Sequence, residues 1–254
     1  MGKKFKKLVV FDNIILTNDQ LEKLKNCAEE VIFYSHTTDS KIIKERIKEA
    51  DAIINCWTVL DENSLKGSKV KYIGNWGHWW KHRVVLSEER LKELGIHLDY
   101  IPDYGTDAVA EVAWAGILAL SKNLEKWHRD AGAGRWTFEN IKKGEKKVNI
   151  EEVEEQLIST KSLGIVGLGR IGYKIAKIGK DGFGMKVYYN SRTRKKDAEK
   201  KGIEFLPLKD LFIQCDIISI HVSPDAPENL ISKELLNSMK SSDMLLKGLE
   251  KAQL

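Results

Sequence analysis

The sequence predicts an α/β protein of two lobes, each built on a parallel sheet layered with helices. Short apolar, β-branched runs alternate with charged segments of helical period, the pattern of repeated βαβ units. The alternation comes as two series, one ending near residue 101 and one starting near residue 163. Composition differs between the halves as well, because all seven Trp fall before residue 137. With 254 residues, 42% apolar and 31% charged, the chain has ordinary globular composition and room for one large or two small domains.

In the first series, residues 8–11, 31–34, 52–56, 71–74 and 97–101 read as strands. Residues 19–30 read as a helix with Leu21, Leu24 and Ala28 on one face. Asp39 or Ser40 caps a second helix through Ala50, and Ser87 starts a third that Gly95 ends. Residues 106–130 read as one long helix, its second half expected to run between the lobes. The Lys- and Glu-rich stretch 137–160 reads as a solvated surface loop. Strands at 163–166, 186–189, 203–205 and 216–222 make the second series.

Several function classes are excluded at this level. Lys and Arg total 42 against 37 Asp and Glu, a net charge of +5, too small for a nucleic-acid footprint. Cys27, Cys56 and Cys215 are far apart, without C-x-x-C spacing, which fits a reducing compartment and gives no metal or disulfide framework. The longest apolar stretch, 108–120, contains Glu111 and is too short to span a bilayer. The apolar run behind the basic N-terminus breaks at Asp12 and Asn13, too early for a signal segment. The expectation is a cytoplasmic protein without membrane or nucleic-acid partners.

The motif that carries chemistry is Gly167-Leu168-Gly169-Arg170-Ile171-Gly172, directly after the apolar strand at 163–166 and at the start of a helical pattern running to about residue 180. Gly167 permits the tight turn, Gly169 lets the backbone approach a pyrophosphate, and Gly172 allows close helix–strand packing. The phosphates then lie on free N–H groups at a helix N-terminus. At the end of the next strand, NAD-binding proteins place an acid for the ribose hydroxyls. Counting from Gly184 puts Ser191 there, followed by Arg192, Thr193 and Arg194. Hydroxyl and guanidinium groups suit a 2′-phosphate, so NADP(H) is expected over NAD(H), with NAD(H) still possible. The alternative is that the basic run is a solvated helix start. His221, with Val222 and Ser223, ends the fourth strand of this series, either touching the nicotinamide-side ribose or packed as a satisfied strand-end histidine.

These residues resemble the D-isomer-specific 2-hydroxyacid dehydrogenase family, especially its glyoxylate/hydroxypyruvate reductase branch. The matching signatures are Tyr72-Ile73-Gly74, Gly95-Ile96, the run 102–111 (PDYGTDAVAE), the run 163–172, and the runs 189–195 and 216–222. Glu234-Leu235-Leu236 and Met239-Lys240 complete them. The resemblance implies a flavodoxin-like substrate lobe over residues 1–104 and a Rossmann dinucleotide-binding lobe over 105–254, the latter expected to be incomplete at its C-terminus. It also implies hydride transfer between NAD(P)H and a small 2-keto or 2-hydroxy acid, with the active site in a cleft between the lobes, and a homodimer. Backbone N–H groups in the loop after the strand at 71–74 would then hold the substrate carboxylate, which nominates Asn75, Trp76 and Gly77. Trp79 and Trp80 in that loop either line the pocket or cover the lobe.

The family supplies a catalytic Arg in an Asn-x-x-Arg-Gly run soon after the Met-Lys signature, then a Glu and a His. Here Glu250 stands at the Arg position, no Arg follows Arg194 and no His follows His221. No catalytic residue is therefore assigned, and the chain is expected to be a C-terminally shortened form of impaired activity. The alternative is a non-catalytic NADP-binding sensor or scaffold module. Residues 244–254 differ in kind from the apolar strand expected there, which predicts an uncovered sheet edge.

Overall fold

The computed structural model describes residues 4–77, 81–134, 157–223, 226–240 and 244–247. The chain divides into two compact units, Met1–Tyr104 and Gly105–Leu254.

Unit one comprises β1 (Phe5–Phe11), α1 (Asn18–Lys25), β2 (Ala28–Tyr34), α2 (Ser40–Ile47), β3 (Ala52–Asn55), α3 (Glu62–Leu65), β4 (Tyr72–Asn75), α4 (Glu88–Glu93) and β5 (His97–Tyr100). Its sheet runs β2-β1-β3-β4-β5, every neighbour parallel. This is the flavodoxin-type order, which reverses between β1 and β3. A parallel sheet is covered on both faces, and β1 shows why its sequence is continuously apolar. Val9 and Phe11 enter one core with Ile43, Ile47, Ile53 and Ile73, while Leu8 and Val10 enter another with Ala28 and Ala52. Capping side chains set the helix starts: Thr17 and Gln20 form a reciprocal capping box on α1, Asp39 accepts from Lys41 and Ile42 N–H, and Ser87 accepts from Arg90 N–H.

Unit two comprises α5 (Thr106–Ser121), α6 (Leu124–Gly132), a 3₁₀ turn (Ile158–Thr160), β6 (Ser162–Val166), α7 (Arg170–Lys177), a π-helical turn (Ile178–Gly182) and β7 (Lys186–Asn190). It continues with α8 (Lys196–Glu199), β8 (Glu204–Phe205), α9 (Leu208–Gln214), β9 (Ile217–Ile220), α10 (Lys233–Asn237) and β10 (Met244–Lys247). Its parallel sheet runs β10-β9-β6-β7-β8. Counted from β6 as the first strand, this is the Rossmann order 3-2-1-4-5 read from the far edge, and it reverses between β6 and β9. One face packs Leu163 and Ile165 of β6 against Ala110, Trp114 and Ile117 of α5 and Ile175 of α7. The other packs Val166, Ile218 and Ile220 against Leu211 and Phe212 of α9. Among the described residues no helix is long and apolar enough to cross a membrane.

The structure departs from the sequence expectations at four places. The helix expected over 19–30 ends at Lys25, and Ala28, Glu29 and Glu30 join β2. Pairing with β1 overrides their helix propensity, since Lys4 and Phe5 N–H both reach the Cys27 carbonyl at 3.0 Å and Phe5 stands beside Ala28. The single helix expected over 106–130 is two, broken where Asn123 takes a left-handed conformation (φ 47°). The bare edge expected beyond β9 is covered, because Met244–Lys247 pairs with it in register, Met244 beside Ile217 and Lys247 beside Ile220. That apolar run is short, and the β9 ladder, not its own length, makes it a strand. Of the stretch 137–160, residues 137–156 lie outside the described residues, and Ile158 is buried rather than part of a solvated loop.

Candidate dinucleotide-binding site

The carboxyl ends of β6, β7 and β9 meet around one turn. Gly167 leaves β6 with φ 94°, a left-handed value that favours glycine. Its N–H donates to the Asn190 carbonyl at the end of β7 (2.8 Å), and the Val166 carbonyl accepts from His221 N–H at the end of β9 (2.7 Å). A Cβ on Gly167 would stand 2.3 Å from the His221 carbonyl oxygen, and one on Gly172 would stand 2.2 Å from the Gly167 carbonyl oxygen. Around Gly169 the opposite holds: nothing lies within 4 Å of a Cβ there. Two glycines of the turn are therefore needed by the protein's own packing, and the third leaves open space in front of α7.

That open space sits at a helix start which no side chain caps. Gly169 is the N-cap, Gly169 and Arg170 are exposed, and Ile171 is half-buried. The helix dipole and the first-turn N–H groups favour an anion at this point. The turn also lies at the β6/β9 reversal, where open α/β sheets take their ligands. A dinucleotide pyrophosphate fits this set of groups.

After β7 the predicted residues lie along one loop. The Ser191 hydroxyl donates to the Thr193 carbonyl (2.6 Å), and Arg192, Thr193 and Arg194 are exposed. Arg194 forms a bidentate pair with Glu199, Nε to Oε1 at 3.0 Å and Nη2 to Oε2 at 2.8 Å. Tyr189 Oη donates to Glu199 Oε1 (2.7 Å) and accepts the Lys195 N–H (2.6 Å). Hydrogen bonding to Glu199 raises the pKa of Arg194, and hydrogen bonds from Arg194 and Tyr189 hold the Glu199 carboxyl below its usual value. Tyr189, Glu199 and Phe205, whose ring centroid lies 5.0 Å from the Arg194 guanidinium, were not expected at this site. Sequence spacing offered no signal for the pair, because Arg194 precedes α8 and helical spacing does not apply across the two residues.

At the end of β9, the His221 Nε2 lies 2.7 Å from Ser219 Oγ, and burial pushes the imidazole down to about 4. The ring is neutral at pH 7. Val222 is half-buried against Leu211 and Phe212, and Ser223 is exposed.

In unit one, Asn75 is buried at the end of β4. It accepts from Asn55 Nδ2 (3.2 Å) and donates to the Gly77 carbonyl (3.3 Å), which folds the loop back on its own strand. Trp76 N–H donates to the Asn55 carbonyl (2.7 Å). Gly77 has φ 91°, and its Cα lies against the Tyr104 ring, which also meets Trp76 edge-on at 6.2 Å. His78, Trp79, Trp80, Glu250 and Lys251 lie outside the described residues.

A second feature of unit one was missed from the sequence. Asp12, buried directly after β1 at φ 70°, accepts N–H bonds from Cys56, Trp57 and Thr58 and a hydroxyl bond from Thr58, and it pairs with His36 at 2.9 Å. With Asn13, His36, Trp57 and Arg83 it lines a concavity of about 490 Å³. Among the described residues no cluster of His, Cys, Asp and Glu could hold a metal ion.

The comparisons with known proteins agree with this geometry. Residues 114–247 match the family described as D-isomer specific 2-hydroxyacid dehydrogenase, NAD binding domain. The chain is 33% identical over 214 residues to a glyoxylate reductase of Pyrococcus horikoshii, covering 81% of this chain and 60% of that enzyme. It is 37% identical over 163 residues to a glyoxylate reductase of Aeropyrum pernix, covering 63% of this chain and 47% of that enzyme. A solved structure of D-lactate dehydrogenase from Aquifex aeolicus, complexed with NAD and lactic acid, is similar at TM-score 0.69 and 26% identity, over 94% of this chain and 68% of that one. The chain thus spans about three fifths or less of the length of the two reductases. With a Rossmann sheet, an open glycine turn and a family match over more than half its residues, the chain belongs to the D-isomer specific 2-hydroxyacid dehydrogenase family.

Proposed function

We propose that this chain binds NADP(H) in preference to NAD(H) and serves an oxidoreductase that interconverts a small 2-keto acid and its 2-hydroxy acid, glyoxylate being the first candidate. The observation that carries the reading is the contrast within the glycine turn: packed at Gly167 and Gly172, open at Gly169. In this reading the first-turn amides of Gly169, Arg170, Ile171 and Gly172 hold the pyrophosphate. Ser191, Arg192, Thr193 and Arg194 hold the 2′-phosphate, and His221, Val222 and Ser223 approach the nicotinamide-side ribose. The loop Asn75, Trp76 and Gly77 supplies the substrate-carboxylate contacts, with the Gly77 N–H as the donor because the Trp76 N–H is taken by the Asn55 carbonyl, which makes Met1–Tyr104 the substrate lobe. The bound cofactor supplies the hydride. A homodimer in the cytoplasm is part of the same proposal.

Hydride transfer to a keto acid also needs a cation at the carboxylate and carbonyl and a proton donor for the new alkoxide. Within these 254 residues no Arg follows Arg194 and no His follows His221. His221 itself stays neutral and is bonded to Ser219. These 254 residues on their own are proposed to bind cofactor firmly and turn over slowly, because a neutral His221 tied to Ser219 is a poor proton donor at pH 7. That same observation supports the second reading, a non-catalytic NADP-binding sensor or scaffold.

Calorimetric titration with NADPH and NADH, followed by NADPH oxidation with glyoxylate and hydroxypyruvate, tests both readings. Tight NADPH binding with slow keto-acid reduction is expected of an impaired reductase, and binding with no turnover of the sensor. Tighter NADH binding overturns the cofactor preference, and turnover at the rate of an intact reductase overturns the impairment.

A further inference from the structure

The loop after β7 carries four basic residues in five positions, Arg192, Arg194, Lys195 and Lys196, and the charge of Arg194 is answered inside the fold. Its Nε/Nη2 edge, the edge that grips a carboxylate or a phosphate with two parallel hydrogen bonds, is filled by Glu199. Glu199 is itself fixed: its side chain is 25% exposed, against 61% for Arg194, and Tyr189 Oη donates to Oε1 from the buried side. Tyr189 is fully buried and also takes the Lys195 N–H, so the strand end, the loop and α8 are tied together through one carboxylate. The guanidinium face lies over Phe205. Arg194 is thus held in place, and the Arg194–Glu199 unit has no net charge.

A 2′-phosphate brings close to two negative charges into this loop. To pair with Arg194 it must displace Glu199, or use the other edge of the guanidinium with the carboxylate alongside. A cofactor lacking that phosphate meets neither obstacle. We propose that Glu199 is a positioning residue that sets the choice between the phosphorylated and unphosphorylated dinucleotide. It orders Arg194 and, by cancelling its charge, limits how strongly the loop selects a 2′-phosphate. The assignment rests on the cofactor reading above. It adds that the selectivity of the basic run is tunable at one acidic residue that need not touch the cofactor.

The test is titration of NADPH and NADH into the full chain and three variants. Glu199→Gln keeps the acceptor for Tyr189 and removes the charge. It should tighten NADPH roughly three- to tenfold, as expected for one exposed charge acting on a phosphate within a Debye length, and leave NADH within about twofold. Added salt should shrink the gain. Arg194→Gln leaves the Glu199 charge unanswered and should weaken NADPH at least threefold relative to NADH. The double variant loses the guanidinium as well as the opposing charge, so its NADPH:NADH ratio should fall between those of the two single variants. An unchanged NADPH:NADH ratio in Glu199→Gln, or parallel weakening of both cofactors, overturns the assignment while leaving the cofactor reading intact. Wild-type protein that binds neither dinucleotide overturns both. If Glu199→Gln does not fold, the ratio in Arg194→Gln decides alone, and an unchanged ratio there is fatal to the proposal.

Discussion

Gly172 rests its Cα on the carbonyl of Gly167, so closely that a Cβ would stand 2.2 Å from the oxygen, whereas Gly169 between them faces open space. Similar glycines in one short motif therefore have separable duties. Gly172→Ala must push α7 off β6 and should cost about 1–3 kcal/mol of stability. Gly169→Ala should leave stability within about 0.5 kcal/mol of wild type, since nothing is displaced. It should nevertheless weaken NADPH binding tenfold or more, because the methyl group enters the space assigned to the pyrophosphate. Urea unfolding and cofactor titration of the two variants read these effects independently. A Gly169→Ala variant as unstable as Gly172→Ala would show that the turn is purely structural.

Asp12 closes the carboxyl ends of β1 and β3 in unit one. Burial raises the pKa of its carboxyl, but hydrogen bonds from Trp57, His36 and Thr58 outweigh that and leave it below the ordinary value of 3.8. A carboxyl lowered on folding adds stability above its unfolded pKa, and that stability is lost as pH falls through the folded value. Asp12→Asn tolerates the left-handed backbone and mimics the protonated acid. The variant should be about 1–3 kcal/mol less stable at pH 7. The gap should narrow as pH falls below the usual carboxylate range. A gap that stays constant down to pH 2.5 in urea titrations would mean that the charge of Asp12 contributes nothing.

The sheets and the glycine turn were legible because their signals are local. Leu8 to Phe11 and Leu163 to Val166 are continuous apolar runs, as strands covered on both faces must be. The Asp39 and Ser87 caps lie next to the helices they start. What escaped depends on partners distant in sequence. Glu29 and Glu30 favour a helix and become strand only because β1 lies beside them. Met244 to Lys247 needs β9, 27 positions earlier, to be read as a strand. Asp12 takes its donors from residues 44 to 46 positions away. The Arg194–Glu199 pair spans only five positions, but it crosses a loop of irregular backbone, where periodicity predicts nothing.

His221 should leave a pH signature of its own. Its imidazole is half-buried at the end of β9, and burial lowers its pKa from 6.5 to about 4. The unfolded chain takes up a proton near pH 6.5, while the folded chain refuses it until about pH 4. Between these values the unfolded state binds more protons, so acid favours unfolding. The stability held by the neutral ring is complete above pH 6.5, declines as pH falls through this window, and changes no further below about 4. The drop corresponds to at most roughly 3 kcal/mol. His221→Gln removes the titration while leaving Asp12 and Asp216, whose carboxyls are also lowered, present in both proteins. The difference in unfolding free energy between wild type and variant should therefore move in favour of the variant from pH 7 to pH 4, with its steepest change between 6 and 4.5. A difference that is flat across that range would show that the ring is solvated and free to protonate. The neutral ring would then contribute nothing as a support for the Gly167 turn.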